Sequence, residues 1–89
     1  MKLKPFFVLR QVADIWVVLP LGRENLDFSD MLTLNDTGAM LWQLLEKGGD
    51  RHTLSAALTE EFEVSQDRAQ ADVDLFLEKL SQAGCIDLE

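Results

Sequence analysis

The hydrophobic pattern of the chain changes at Asn35, and this change limits the folds that are open to it. Residues 6–34 carry short runs of Phe, Val, Ile, Trp and Leu, which are typical of strands. Residues 36–84 instead repeat apolar positions three and four residues apart, as amphipathic helices do. The sequence therefore predicts an α+β fold in which a small sheet precedes a set of helices.

Three strands are predicted in the first part of the chain. FFVLRQV (6–12) and IWVVLP (15–20) flank Ala13-Asp14, a two-residue hairpin turn without a glycine to supply a positive φ. MLTL (31–34) supplies the third strand after a turn-rich connection. We expect these strands to form a three-stranded antiparallel sheet.

Three helices are predicted in the second part from their apolar spacing and their flanking residues. Asn35, Thr53 and Ser65 are suited to open them, because their side chains can accept hydrogen bonds from free backbone N–H groups. Gly48-Gly49 end the first helix and Gly84 ends the third. CIDL adds a short extended piece at the end. A three-stranded sheet followed by three helices gives a winged-helix-like topology.

The triplet Asp36-Thr37-Gly38 is also what an aspartic protease active site looks like. In those proteases the triplet lies in a loop and the following residues are extended, whereas here AMLWQLLEK follows with a helical pattern. We therefore interpret the triplet as a helix start, in which Gly38 and Ala39 let the first turn pack closely. The sequence shows no Ser-His-Asp set, phosphate loop or metal spacing, so we expect no catalytic activity, cofactor or metal.

Length and charge narrow the class of protein further. The 89 residues suffice for one domain, predicted over residues 1–89. There are 16 acidic against 8 basic residues, a formal charge of −8 that works against nucleic acid as a partner. No apolar run approaches the roughly 20 residues of a membrane span. Cys85, the one cysteine, has no disulfide partner and is expected to be buried or half-buried. We expect a soluble, cytoplasmic protein.

The third predicted helix carries an apolar residue on its outer side. At 100° per residue its apolar stripe centres near Val73 and Leu80, while Leu75 points almost the other way and Phe76 lies at the margin. One exposed leucine is common, but one beside a marginal phenylalanine and mixed charges also suits a peptide groove. A DNA-reading role for this helix is disfavoured, since residues 66–83 carry four acids against two bases.

The order and spacing of these segments resemble the PqqD family, the small peptide chaperones of pyrroloquinoline quinone biosynthesis and related pathways. The resemblance covers nearly the whole chain. The most specific segments are Leu34-Asn35-x-Thr37-Gly38-Ala39, which leads into Leu41-Trp42, and Asp72-Val73-x-x-Phe76-Leu77-x-x-Leu80-x-x-x-Gly84.

The resemblance implies a recognition element for ribosomally made, post-translationally modified peptides. Such domains bind the leader segment of a precursor peptide and deliver it to a modifying enzyme, often a radical S-adenosylmethionine enzyme. The leader adds as a strand beside the third strand and lies against the third helix. The implied peptide-binding residues, of which those on the helix rest partly on the angles above, are Met31, Leu32, Thr33, Leu34, Asp72, Leu75, Phe76 and Lys79.

Two alternatives remain open. A winged-helix DNA-binding transcription regulator would share the topology, although the charge disfavours it. An exposed strand edge can also pair with a second copy of the chain, which would give a homodimer.

Overall fold

The computed structural model describes residues 2–4, 7–20 and 32–87, in which four strands are followed by three helices and a last short strand. In chain order they are β1 (Lys2–Leu3), β2 (Phe7–Val12), β3 (Ile15–Pro20), β4 (Leu32–Leu34), α1 (Asp36–Glu46), α2 (Arg51–Glu61), α3 (Gln66–Gln82) and β5 (Ile86–Asp87). The predicted α+β fold, a three-stranded antiparallel sheet followed by three helices, is confirmed. Phe6 and Met31, which were assigned to predicted strands, lie outside the described residues.

The main sheet has the order β2-β3-β4, and both pairs of strands are antiparallel. Val12 pairs with Ile15, so the predicted two-residue turn between them is confirmed. Ala13 in that turn has a φ of 55°, which is uncommon for a residue other than glycine. Within the described ranges β4 pairs with β3 only, which leaves β4 at an edge of the sheet.

A second, two-stranded sheet joins β1 and β5, with Lys2 opposite Asp87 and Leu3 opposite Ile86. The extended piece predicted after Cys85 is therefore present as β5. β1 was not predicted, because a strand of two residues is too short to show an alternating pattern.

The first and third helices begin where the sequence predicts. The side chain of Asn35 accepts a hydrogen bond from the backbone N–H of Gly38 at 2.8 Å. The hydroxyl of Ser65 accepts one from the N–H of Arg68 at 3.1 Å. A Cβ on Gly38 would lie only 3.2 Å from the Cβ of Leu34, so this glycine lets α1 start directly against β4.

The second helix begins earlier than predicted, and the prediction that Thr53 caps it is wrong. The cap is Asp50, whose Oδ1 accepts from the N–H of Thr53 at 2.9 Å and from its hydroxyl at 3.0 Å. An aspartate three residues before a threonine can engage both donors, and this arrangement includes Arg51 and His52 in the first turn. His52 is exposed and belongs to this first turn.

The core lies between the helices and one face of the sheet. On α3 the predicted stripe is confirmed, since Val73, Leu77 and Leu80 are each at most 1% exposed. Cys85 is buried as predicted, and desolvation raises the pKa of its thiol. None of the helices in the described part of the chain combines the length and apolar character needed to cross a bilayer.

Candidate functional site

Thr33 presents backbone hydrogen-bonding groups beside α3. Lys79 Nζ donates to the carbonyl oxygen of Thr33 at 3.2 Å, which places that carbonyl on the side of β4 turned towards α3. In an antiparallel ladder the N–H and C=O of one residue point to the same side. The N–H of Thr33 is therefore also turned away from β3, and the edge of β4 offers one donor and one acceptor.

An open groove of about 760 Å³ lies along this edge. Thr33 and Leu34 line it from β4, and Asp72, Phe76 and Lys79 line it from α3. The three α3 residues are four and three positions apart, so they project from one face of the helix. The groove therefore joins a strand edge to the polar and aromatic side of a helix.

The α3 side of the groove has an apolar floor between charged groups. Phe76 is half-buried and packs against the core. Asp72 Oδ2 lies 3.6 Å from Nε of Arg68, an exposed pair one turn apart on the helix. Such a pair is weak, so the carboxylate of Asp72 remains available to a ligand.

The predicted site residues fall into three groups. The structure brings together Thr33, Leu34, Asp72, Phe76 and Lys79 in the groove lining. Leu32 is half-buried and packs against the core, and Leu75 is 65% exposed but outside the lining. Met31 lies outside the described residues. The outward direction predicted for Leu75 is thus confirmed, while the role of all eight residues in binding stays a prediction.

Sequence reasoning missed the other end of the groove. Asp14 and Ile15 line it from the β2–β3 hairpin, and residues 35–38 line it from the start of α1. The indole Nε1 of Trp16 donates to Oδ1 of Asp36 at 3.0 Å, which ties the hairpin to α1. The signal was available in part, because pairing MLTL with the second predicted strand brings the hairpin turn to the start of the first helix.

The described residues that line the groove are acidic overall. Their charged members are Asp14, Asp36 and Asp72 against a single ammonium, that of Lys79. Across residues 2–4, 7–20 and 32–87, no three His, Cys, Asp or Glu side chains are grouped so that they could hold a metal ion.

A family model described as Coenzyme PQQ synthesis protein D (PqqD) matches residues 16–86. The chain belongs to the PqqD family. The matched range includes β4, α1 and α3, and therefore most of the groove lining of this PqqD-family chain. The resemblance seen in the sequence is confirmed.

Two solved structures share the fold of this PqqD-family chain. The structure described as TbiB1 in complex with the TbiA(beta) leader peptide has a TM-score of 0.81 at 24% identity, over 100% of this chain and 98% of that one. The structure described as lasso peptide synthetase B1 complexed with the leader peptide has a TM-score of 0.76 at 28% identity, over 94% and 93%. A search of curated proteins finds no match.

Proposed function

We propose that this PqqD-family chain binds the leader segment of a ribosomally synthesised precursor peptide by strand addition to the free edge of β4. The observation that carries the proposal is the groove between that edge and α3. Its support is twofold: the edge offers backbone groups beside a half-buried aromatic side chain, and two solved structures with the same fold hold leader peptides.

Strand addition suits this edge physically. Thr33 would exchange two backbone hydrogen bonds with one residue of the leader, and such main-chain bonds give affinity without requiring a particular side chain. Successive side chains of the added strand point to opposite faces, so alternate leader residues would enter the groove towards Phe76. Selectivity then arises from the side chains that line the groove.

The proposed binding residues divide into supporting and contacting positions. Leu32 and Leu34 hold β4 against the core so that Thr33 faces the leader, and Met31 stays in the proposed set as the residue that precedes them. Phe76 forms the floor of the groove. The side chains proposed at its rim are those of Asp72, Leu75 and Lys79. The ammonium of Lys79 covers the Thr33 carbonyl in the free protein and gives way to the leader.

The binding role is proposed to be non-catalytic. Residues 1–89 act as a single recognition domain that delivers the bound leader to a modifying enzyme, and a radical S-adenosylmethionine enzyme is the proposed partner. Family membership supports a role in a biosynthetic pathway, because the matching family is described as a coenzyme synthesis protein. The proposed location is the cytoplasm, where precursor peptides are made, and the proposed activity involves neither nucleic acid nor a membrane.

A titration followed by amide NMR tests the proposal. Labelled protein is titrated with the leader segments of short peptides encoded beside its gene, and a DNA fragment is the control. We expect saturable shifts at Leu32–Leu34 and along residues 72–79. A folded protein whose shifts lie elsewhere, or that binds no leader, contradicts the proposal. Saturable DNA binding that weakens steeply with salt would instead support a transcription regulator.

The delivery step needs a separate measurement. The modifying enzyme encoded nearby is incubated with full-length precursor, with and without this protein. We expect faster modification in its presence and none when the protein acts alone on the precursor. Sedimentation of the free and leader-bound protein reports whether a second copy covers the β4 edge, because leader binding would then dissociate the dimer.

A further inference from the structure

The end of the groove nearest the β2–β3 hairpin combines two carboxylates with an apolar side chain, those of Asp14, Asp36 and Ile15. We propose that this end selects a leader that carries a lysine or arginine there. The inference rests on the proposed function, and it names the class of peptide that the groove accepts.

The charges at this end are not neutralised within the described parts of the chain. Asp36 accepts the indole N–H of Trp16, a neutral donor, and has no ion pair there. Asp14 has neither an ion pair nor a hydrogen bond among the same residues. The ammonium of Lys79 already donates to the carbonyl of Thr33. A basic side chain of a ligand would therefore meet two carboxylates that have no cationic partner among the described residues.

The N-terminus of α1 does not cancel this charge. A helix N-terminus favours anions through its free N–H groups. Here the side-chain oxygen of Asn35 accepts a hydrogen bond from the N–H of Gly38. The backbone carbonyl of Asn35 accepts one from the N–H of Ala39 at 2.9 Å. The remaining helix dipole offsets part of the charge of Asp36, which lies in the first turn, whereas Asp14 belongs to the hairpin. Asp14 is therefore expected to contribute more to selection.

Ile15 favours a long basic side chain over a short polar one. It is 49% exposed and lines the groove beside the two carboxylates. Lysine and arginine lay their methylene stems along apolar surface while the charged head stays in water. The stem would cover Ile15 and the head would reach Asp14 and Asp36. An acidic residue at the same place would be repelled by both carboxylates and by the net charge of −8.

A selection from random peptides tests this preference and does not require the natural leader. Wild-type protein is used to select from a displayed library, and binders are kept if they shift the amide of Thr33. We expect these peptides to be enriched in lysine or arginine at one end of the segment that pairs with β4. Selection with an Asp14→Asn/Asp36→Asn variant should lose that enrichment, since both asparagines keep the side-chain oxygen and remove the charge. The matched control is Glu46→Gln/Glu60→Gln, which removes two exposed charges outside the groove.

Affinities of one selected peptide sharpen the test. Asp14→Asn/Asp36→Asn should weaken binding roughly three- to tenfold, as for partly exposed ion pairs, with Asp14→Asn the larger single effect. Replacing the basic residue of the peptide by glutamine should weaken binding to the wild-type protein by a similar factor. The glutamine peptide should then bind the wild-type protein and the Asp14→Asn/Asp36→Asn variant equally well. Equal losses in the control variant, or Thr33-binding peptides without basic enrichment, overturn this inference alone. A selection that yields no peptide bound at Thr33 overturns the proposed function together with it.

Discussion

The ammonium of Lys79 donates a hydrogen bond to the backbone carbonyl of Thr33, 46 residues earlier in the sequence. The third helix therefore already occupies the acceptor that an added strand would use. Strand addition supplies a backbone N–H to this carbonyl, and the lysine contact then competes with the ligand. We expect Lys79→Met, which keeps most of the stem, to bind the leader roughly two- to fivefold more tightly, in keeping with the small value of exposed charged contacts. Isothermal titration measures the change. Weaker binding would show that the ammonium contacts the leader itself.

Proline at position 33 tests the direction of the Thr33 N–H. Because that N–H is turned away from β3, Thr33→Pro should leave the β3–β4 ladder intact and remove the donor offered to a leader. We expect a folded protein that binds the leader at least about tenfold more weakly, measured by titration after circular dichroism confirms the fold. Thr33→Val, which keeps the N–H, is the control. If Thr33→Pro unfolds the protein, the N–H belongs to the sheet; if it binds normally, the leader does not add at this edge.

Two neighbouring leucines on α3 should differ sharply in their effect on stability. Leu77 is 1% exposed and Leu75 is 65% exposed. We expect Leu77→Ala to lower the free energy of unfolding by about 2–5 kcal/mol, because it leaves a cavity in the core. Leu75→Ala makes the same chemical change at the surface and should cost less than about 0.5 kcal/mol. Urea denaturation compares the two. Equal losses would show that the helix lies in a different rotation.

The turn at Ala13 is strained, and relieving the strain should stabilise the hairpin. A positive φ costs an L-residue about 1–2 kcal/mol, and glycine removes this cost but gives the unfolded chain more freedom. We expect Ala13→Gly to raise the free energy of unfolding by about 0.5–1 kcal/mol. The reverse change, Gly84→Ala at a φ of 77°, should lower it. Thermal unfolding of both variants measures the two signs, and a destabilised Ala13→Gly would contradict the expectation.

The cap of α2 gives stability that depends on pH. The N–H of Thr53, followed by its hydroxyl, lowers the pKa of Asp50 below its usual value of 3.8. Folding therefore favours the carboxylate, and this stabilisation is complete above the unfolded-state pKa and lost as pH falls through the lower folded-state value. We expect Asp50→Ala to destabilise the protein at neutral pH, with a deficit relative to wild type that narrows below pH 3.8.

The control for the cap prediction is Ser65→Ala. It removes the cap of α3 without removing a titratable group, so its deficit in urea unfolding should stay constant over the same pH range. A deficit for Asp50→Ala that is equally constant would show that the carboxylate is not favoured by folding.

The helices were predictable because their signals are local. Apolar spacing gave the buried stripe of α3, and Asn35 and Ser65 were recognisable caps. The start of α2 was misplaced because Asp50 and Thr53 are both good caps, and only their mutual hydrogen bond decides between them. β1 was missed because it is defined only by its pairing with β5 across the whole chain.

The groove was predictable only along β4 and α3, where the periodicity of one strand or one helix shows which residues face outwards. The exposure of Thr33 and the margin position of Phe76 follow from strand and helix periodicity. The contribution of Asp14 and Ile15 depends on how the hairpin packs at the start of α1, which is a tertiary relationship. The exclusion of Leu75 from the lining likewise depends on how α3 packs beside β4, which single-element periodicity does not determine.

The hydrogen bond from Trp16 to Asp36 also separates the chain's two tryptophans by environment. Trp42 is 1% exposed in the core, whereas Trp16 is half-buried with its indole bonded to a groove residue. We therefore expect Trp42 emission to follow unfolding and Trp16 emission to respond to a ligand bound near Asp36. The molecule carries its own optical probe of occupancy, and a label-free intensity titration can follow binding without modifying either partner.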